Sequence, residues 1–353
     1  MRTTALSIVL SLSVATLGCL SLASKATAAP PMEKPSKPPR PVVFHHGMGD
    51  SAHSKGMNSI FDSIRLIAPE IFIHSISLAE SEADDQKAGY FGNVNQQIEH
   101  VCEQLKGVPE LQDGFNAVGF SQGGQFLRAY VQRCNDPPVH NLITVGAQHN
   151  GVADIPGCIE PSVSCKLMRA IAQGGVYNGY VQGRIVQAQY YKDPRNLATY
   201  LSKNIFLPDI NNELVTKNAA YKERLTSINK LVMFMFLEDV MVKPKETAWF
   251  GFQDEEGEII DLKDQDQYKE DWLGLKTMDK EGKLVFDVME GEHMQFSIED
   301  FTEKITLPYL LNKGDDNKKK HRKHCKHGKH CREVVGSPES ALQWDMAQQQ
   351  EVF

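Results

Sequence analysis

Ser121 stands between Gly119 and Gly123 in the stretch FNAVGFSQGGQFLRAYVQRC, residues 115–134. The apolar run Ala117-Val118-Gly119-Phe120 reads as a buried strand that stops at the serine. Phe126, Leu127, Tyr130 and Val131 then recur at helical spacing. Strand, serine, glycines and helix make the G-x-S-x-G pattern of a nucleophile elbow. A serine on so sharp a turn sits in strained backbone, and a Cβ on either flanking glycine would collide with it. The turn lifts the hydroxyl off the sheet toward a helix N-terminus, whose unpaired N–H groups favour a developing oxyanion. That is the chemistry of acyl transfer.

A serine nucleophile needs a histidine to take its proton and a carboxylate to hold the histidine's tautomer. On an elbow of this kind the chain order is serine, then Asp or Glu, then His. After residue 149 the histidines are His293 and four in the basic run 318–332. His293 follows a strand on a turn at Gly291, so it is the candidate base. Asp239 follows the apolar run Leu231–Leu237 and is the candidate acid. Glu238 is its rival, with Asp154 and Asp209 as outsiders. A second apolar run, Val42–Phe44, leads into His45-His46-Gly47-Met48-Gly49, where glycines let the backbone turn an N–H toward the serine.

Positioning these groups requires strands that end together. Besides those named, strands are expected at Ile71–Ile76, Asn141–Gly146 and Leu284–Val288. Helices are expected at Ser54–Ala68, Val94–Leu105 and Ile298–Leu311. Alternation of this kind predicts a mostly parallel sheet covered on both faces, the α/β-hydrolase class. From about 152 to 228 the pattern changes to a helical insertion, with helices expected at Lys166–Ile171, Tyr180–Tyr191 and Leu197–Leu201. Apolar residues beside the nucleophile are where a long acyl chain would lie.

The first 28 residues have the charged start, apolar centre and small-residue end of a signal peptide, with cleavage near Ala28 or Ala29. A proline-rich linker, 29–40, leads into a domain at 41–312, and 313–353 form a basic, His- and Cys-containing tail. The mature protein is expected in the secretory pathway, with no further transmembrane stretch. Six cysteines remain after cleavage, an even number that fits an oxidising compartment, with the pairing left open. With the eight positive charges of residues 318–332 set aside, the net charge of −7 becomes −15. So acidic a body excludes nucleic acid as a partner. The tail's four histidines and two cysteines match no closed zinc spacing. It reads as a solvated basic segment, and neither metal nor cofactor is expected.

Seven segments together resemble the palmitoyl-protein thioesterase family, in particular its lysosomal type 1 members. They are HGMGDS (46–51), NVNQQ (93–97), GFNAVGFSQGGQFLRA (114–129), NLITVGAQHNGV (141–152), WFGF (249–252), WLGLK (272–276) and EGEHMQ (290–295). The resemblance spans about Pro41 to Leu311. It implies Ser121, Asp239 and His293 as the triad, and the backbone N–H groups of Met48 and Gln122 as oxyanion donors. It further implies disulfides Cys102–Cys134 and Cys158–Cys165, and an acyl groove under the insertion contacted by Met241 and Val242. The implied substrates are S-palmitoylated proteins and peptides and long-chain acyl thioesters. The implied setting is a monomer in a lysosome, with vacuole and secretion as alternatives. Ala52-His53 stand where animal members carry adjacent cysteines. A lipase or carboxylesterase acting on oxyesters, and a non-catalytic lipid-binding protein, are the competing readings of the same residues.

Overall fold

The computed structural model describes residues 38–153 and 175–313. The signal peptide, most of the linker, the helix at Lys166–Ile171, the Cys158–Cys165 bridge and nearly all of the tail lie outside them.

Six parallel strands form one sheet in the order β2-β1-β3-β4-β5-β8. They are β1 (Val42–His45), β2 (Ile73–Ser75), β3 (Phe115–Phe120), β4 (Val139–Val145), β5 (Lys230–Phe236) and β8 (Leu284–Met289). A small antiparallel pair, β6 (Phe252–Gln253) and β7 (Ile259–Ile260), stands apart. Alternate residues of each central strand enter different cores, as a period of two requires. Val43, Ala117, Leu142, Leu231 and Met233 pack on one face with α3 (Val94–Lys106) and α4 (Gln122–Arg133). Phe44, Val118, Ile143, Val232 and Phe234 pack on the other with α1 (Lys55–Ile67) and the C-terminal helix. Burying each of the Val, Leu, Ile, Phe and Met side chains among them contributes about 1.5–3 kcal/mol. Helix α1 shows how the sequence encodes this: Met57, Ile60, Phe61 and Ile64 are buried at helical spacing, and Ser54 caps its N-terminus.

Several elements differ from the sequence reading. Helix α2 (Glu82–Ala88) was not foreseen; its one buried residue is Asp85, so it carries no apolar stripe. The expected helix Tyr180–Tyr191 is broken. A short α5 (Gly179–Gln182) is capped by Gly183, Ile185 then bridges Phe91 in extended form, and a 3₁₀ turn covers Gln187–Tyr190. Helix α6 (Leu197–Lys203) lies where Leu197–Leu201 were expected. Then come α7 (Leu207–Ile210), α8 (Ala219–Ser227), α9 (Asp266–Lys269) and α10 (Leu275–Lys280). The closing helix has one α turn, α11 (Ile298–Phe301), and then widens into a π-helix over Thr302–Leu310. Pro308 lies inside that stretch, lacking an N–H and clashing with an ordinary α turn. Among the described residues no helix is long and apolar enough to cross a membrane.

Cys102 on α3 and Cys134 at the end of α4 are joined, with Cα atoms 6.1 Å apart and a sequence separation of 32. A loop of that length is worth about 3–4 kcal/mol in the chain-entropy account. The double variant Cys102→Ser, Cys134→Ser is expected to lose that amount in urea unfolding while keeping its sheet. A loss below about 1 kcal/mol would remove the bridge from the stabilising interactions.

Candidate active site

Every candidate group sits just past the C-terminal end of a strand, the edge where parallel sheets gather their function. Ser121 follows β3 directly, Met48 lies three residues past β1, Asp239 three past β5 and His293 four past β8. The β5–β8 pairing also runs on past both strands. Leu237 N–H donates to Met289 O at 3.0 Å and Glu238 N–H to Gly291 O at 3.0 Å. This carries the Asp239 loop alongside the His293 loop.

Ser121 has φ 48° and ψ −119°, a conformation that an L-residue holds only when its neighbours enforce it. The enforcement comes from backbone packed too closely for side chains. A Cβ on Gly123 would lie 2.4 Å from His45 O, and one on Gly119 would lie 2.5 Å from Gly124 Cα. The collision is therefore with β1 and with the start of α4 rather than with the serine itself, as the sequence reading had it.

Ser121 Oγ is 2.9 Å from His293 Nε2, and His293 Nδ1 is 2.6 Å from Asp239 Oδ2. All three side chains are largely buried. Asp239 Oδ1 accepts from the backbone N–H groups of Met241 and Val242, each at 2.9 Å. These two residues thus fix the carboxylate, a contact that the sequence reading missed. Asp239 faces His293 while Glu238 is exposed. Asp209 is engaged elsewhere, by Arg133 at 2.7 Å and the Tyr221 hydroxyl at 2.8 Å. Asp154 lies outside the described residues. The His293 ring meets Phe236 edge-on at 5.9 Å, which limits its rotation.

Gln122 begins α4, so its N–H is among those that a helix leaves without an intrahelical acceptor. A Cβ on Gly47 would lie 3.4 Å from Ser121 Cβ, so the loop carrying Met48 abuts the serine. The Gln122 side chain donates to Gly89 O at 3.1 Å and accepts from the Tyr190 hydroxyl at 3.2 Å. Gln122 and Tyr190 also line a small, mostly apolar cavity with Val94, Gln97, Gln125, Phe126, Val186 and Phe206. The described part of the insertion forms one wall.

Under the elbow helix lies a buried polar network that the sequence did not announce. Arg128 donates to His149 Nδ1 (3.1 Å) and His149 O (2.9 Å), to Gln132 Oε1 (2.9 Å), to Ile210 O (3.0 Å) and to Asn211 Oδ1 (2.8 Å). Burial lowers its pKa to about 9, which still leaves a cation at neutral pH. Because His149 Nδ1 accepts from Arg128, its Nε2 carries the proton and donates to Thr144 Oγ1 at 3.0 Å. Burial, reinforced by Arg128, holds His149 neutral. Among the described residues no cluster of side chains is arranged to hold a metal ion.

Residues 41–293 match the family model described as palmitoyl protein thioesterase. The sequence is 40% identical over 275 residues to Palmitoyl-protein thioesterase 1 of Caenorhabditis elegans, covering 77% of this chain and 92% of that protein. It is 37% identical over 279 residues to Palmitoyl-protein thioesterase 3 of Dictyostelium discoideum, covering 77% and 93%. It is also 27% identical over 279 residues to the Lysosomal thioesterase PPT2 homolog of Drosophila melanogaster, covering 77% and 92%.

Two substitutions test the arrangement. Ser121→Ala is expected to lower kcat on an activated acyl ester by about a thousandfold or more, with unchanged circular dichroism. Asp239→Asn can still accept from Met241 and Val242, but its amide would face His293 Nδ1 and favour the wrong tautomer. A comparable loss is expected. Retention of more than about a tenth of kcat in either variant would take that residue out of the machinery.

Proposed function

The chain belongs to the palmitoyl protein thioesterase family, and on that premise we propose that it releases long-chain fatty acids from S-acylated cysteines of proteins and peptides. The observation that carries the reaction is the continuous chain of contacts Asp239–His293–Ser121, at 2.6 and 2.9 Å, at one edge of the sheet, and the family match carries the substrate class. Ser121 Oγ attacks the acyl carbon as His293 Nε2 takes its proton. Asp239 holds the other ring nitrogen and stabilises the imidazolium. The N–H groups of Met48 and Gln122 bind the oxyanion, in a site dry enough to strengthen them.

The leaving group sets the demand on the acid. A cysteine thiol has a pKa of ~8.5 and departs with little protonation, so proton return from His293 is a modest requirement. Water then attacks the acyl-serine with His293 as base, releasing the fatty acid. The acyl chain runs between α4 and the insertion, past the small cavity at Phe126, Val186, Tyr190 and Phe206, which must widen to admit it. Met241 and Val242, whose amides hold Asp239 Oδ1, enter as acyl contacts on the family premise alone.

The setting follows from the same premise. The Drosophila relative is called a lysosomal thioesterase, and a lysosome, a vacuole or the extracellular space suits a disulfide-bonded chain with a signal-like start. The enzyme acts as a monomer, and residues 41–312 are the catalytic unit.

Comparing palmitoyl-CoA with an oxyester of the same chain length tests the substrate class. The thioester is expected to be favoured at least tenfold in kcat/KM; the reverse order would make the protein an esterase or lipase. Removing residues 313–353 is expected to leave kcat/KM on a soluble thioester within about twofold, whereas a tenfold fall would place the tail within the enzyme.

A further inference from the structure

The N–H of Met48 belongs to the same peptide unit as the carbonyl of Gly47. A peptide bond is planar and trans, so its N–H and C=O point in opposite directions, and fixing one aims the other. The Gly47 carbonyl is fixed: His46 Nδ1 lies 2.9 Å from it. The other nitrogen of that ring, Nε2, lies 3.2 Å from Asp85 Oδ2, an ion-pair distance without hydrogen-bond alignment, and both side chains are 1% exposed. Asp85 is itself anchored. Its Oδ2 accepts from the Ala52 N–H at 2.8 Å and its Oδ1 from the Leu78 N–H at 2.7 Å.

A backbone carbonyl and an ionised carboxylate can only accept hydrogen bonds. Nδ1 therefore donates to the Gly47 carbonyl, and the carboxylate 3.2 Å from Nε2 favours a second proton on the ring by its charge. We propose that His46 is a buried imidazolium which, clamped by Asp85, is a positioning residue aiming the Met48 N–H at the oxyanion. This rests on the reading of Met48 as an oxyanion donor.

The surroundings are consistent with the charge. Burial opposes it, but Asp85, then the Gly47 carbonyl and Asp50, more than offset that, and the His46 pKa stands above its ordinary value. Burial would also raise the Asp85 pKa, yet His46 and the two N–H groups bring it below the usual range. The other titratable groups facing the pair are His45 and Glu82. His45, with its ring 5.1 Å away, is kept neutral by burial, its pKa pushed down to about 3. Glu82, one turn before Asp85, accepts from Ser51 Oγ at 3.0 Å. Helix α2 thus braces the loop at three points, the third being Gly89, where a Cβ would lie 3.2 Å from Gly49 N.

The pH dependence has a definite sign. A histidine whose folded pKa exceeds its unfolded value contributes fully below about pH 6.5, and the contribution fades as pH rises through the folded value. Aim of the oxyanion donor is therefore best under acidic conditions and decays on the alkaline side.

The first test reads protonation directly, without activity. Long-range proton–nitrogen correlation spectra of the wild-type protein, with His46 assigned through His46→Gln, should show both ring nitrogens protonated at pH 5, with deprotonation at a higher pH than in an exposed histidine. An unprotonated nitrogen at pH 5 overturns the proposal, and this measurement stands even if variants fold poorly. The second test is kinetic. Asp85→Asn is expected to lower kcat about 10- to 100-fold with KM within twofold, and to move the alkaline limb of the kcat profile to lower pH. Asp84→Asn, on the exposed side of the same helix, is expected to behave as wild type. An Asp85→Asn enzyme with unaltered kcat and pH profile, or an equal loss in Asp84→Asn, overturns the positioning role. Ser121→Ala separates the two levels. If it is inactive while Asp85→Asn is not, only this inference falls; if Ser121→Ala stays active, both fall.

Discussion

A serine at φ 48° is the constraint on which the rest of the molecule depends. Left alone, that backbone would relax and swing the hydroxyl away from His293. It is held because the end of β1, the end of β3 and the first turn of α4 approach to distances that only glycine at 119 and 123 permits. The neighbours are constrained in turn. Gly124 passes so close to Ala147 and Thr144 that a Cβ there would lie 2.7 and 3.0 Å from their Cβ atoms. Strand β4 and its exit loop are thereby set against the elbow helix. The close approach of β1, β3 and β4 at one edge is the geometry from which the site is built.

Arg128 carries that geometry outward. Its guanidinium gathers the exit of β4 through His149 and the insertion through Ile210 and Asn211. A second buried cation continues the chain, with Lys192 binding Asn150 at 2.8 Å and Glu213 at 2.7 Å. Such networks add little net stability over apolar packing, but losing one member strands the others in a dry interior at several kcal/mol. Their effect is to specify one arrangement of the insertion relative to the elbow.

What the sequence revealed and what it hid divide along physical lines. The strands were legible because a parallel sheet buried on both faces needs continuous apolar runs such as Leu231–Leu237. Ser121, Asp239 and His293 were legible because each follows such a run in the required order. Asp85 was not: a lone carboxylate on a short polar helix reads as surface, and only the fold reveals that it meets His46. Met241 and Val242 were expected at the acyl groove, and the contact that only the fold displays is the one their amides make with Asp239. The length of the helix after Tyr180 was overestimated because its apolar residues satisfied a helical period while Gly183 ended it. The π-helix at Thr302–Leu310 kept the expected position and changed only its winding, where Pro308 cannot accept an α turn.

The Gln122 side chain, tied at one end to Gly89 and at the other to Tyr190, has a consequence for how lipid reaches the serine. Lipases that respond to interfaces do so by swinging a cover off the nucleophile, and their progress curves show a lag while it opens. Here the described wall of the cavity is fastened to the residue adjoining the nucleophile, and Arg128 fastens it again from below. Lifting that wall would break the bonds that orient the elbow. A wall held in that way belongs to the site itself rather than to a cover over it. Turnover on a soluble substrate is then expected to begin without a lag.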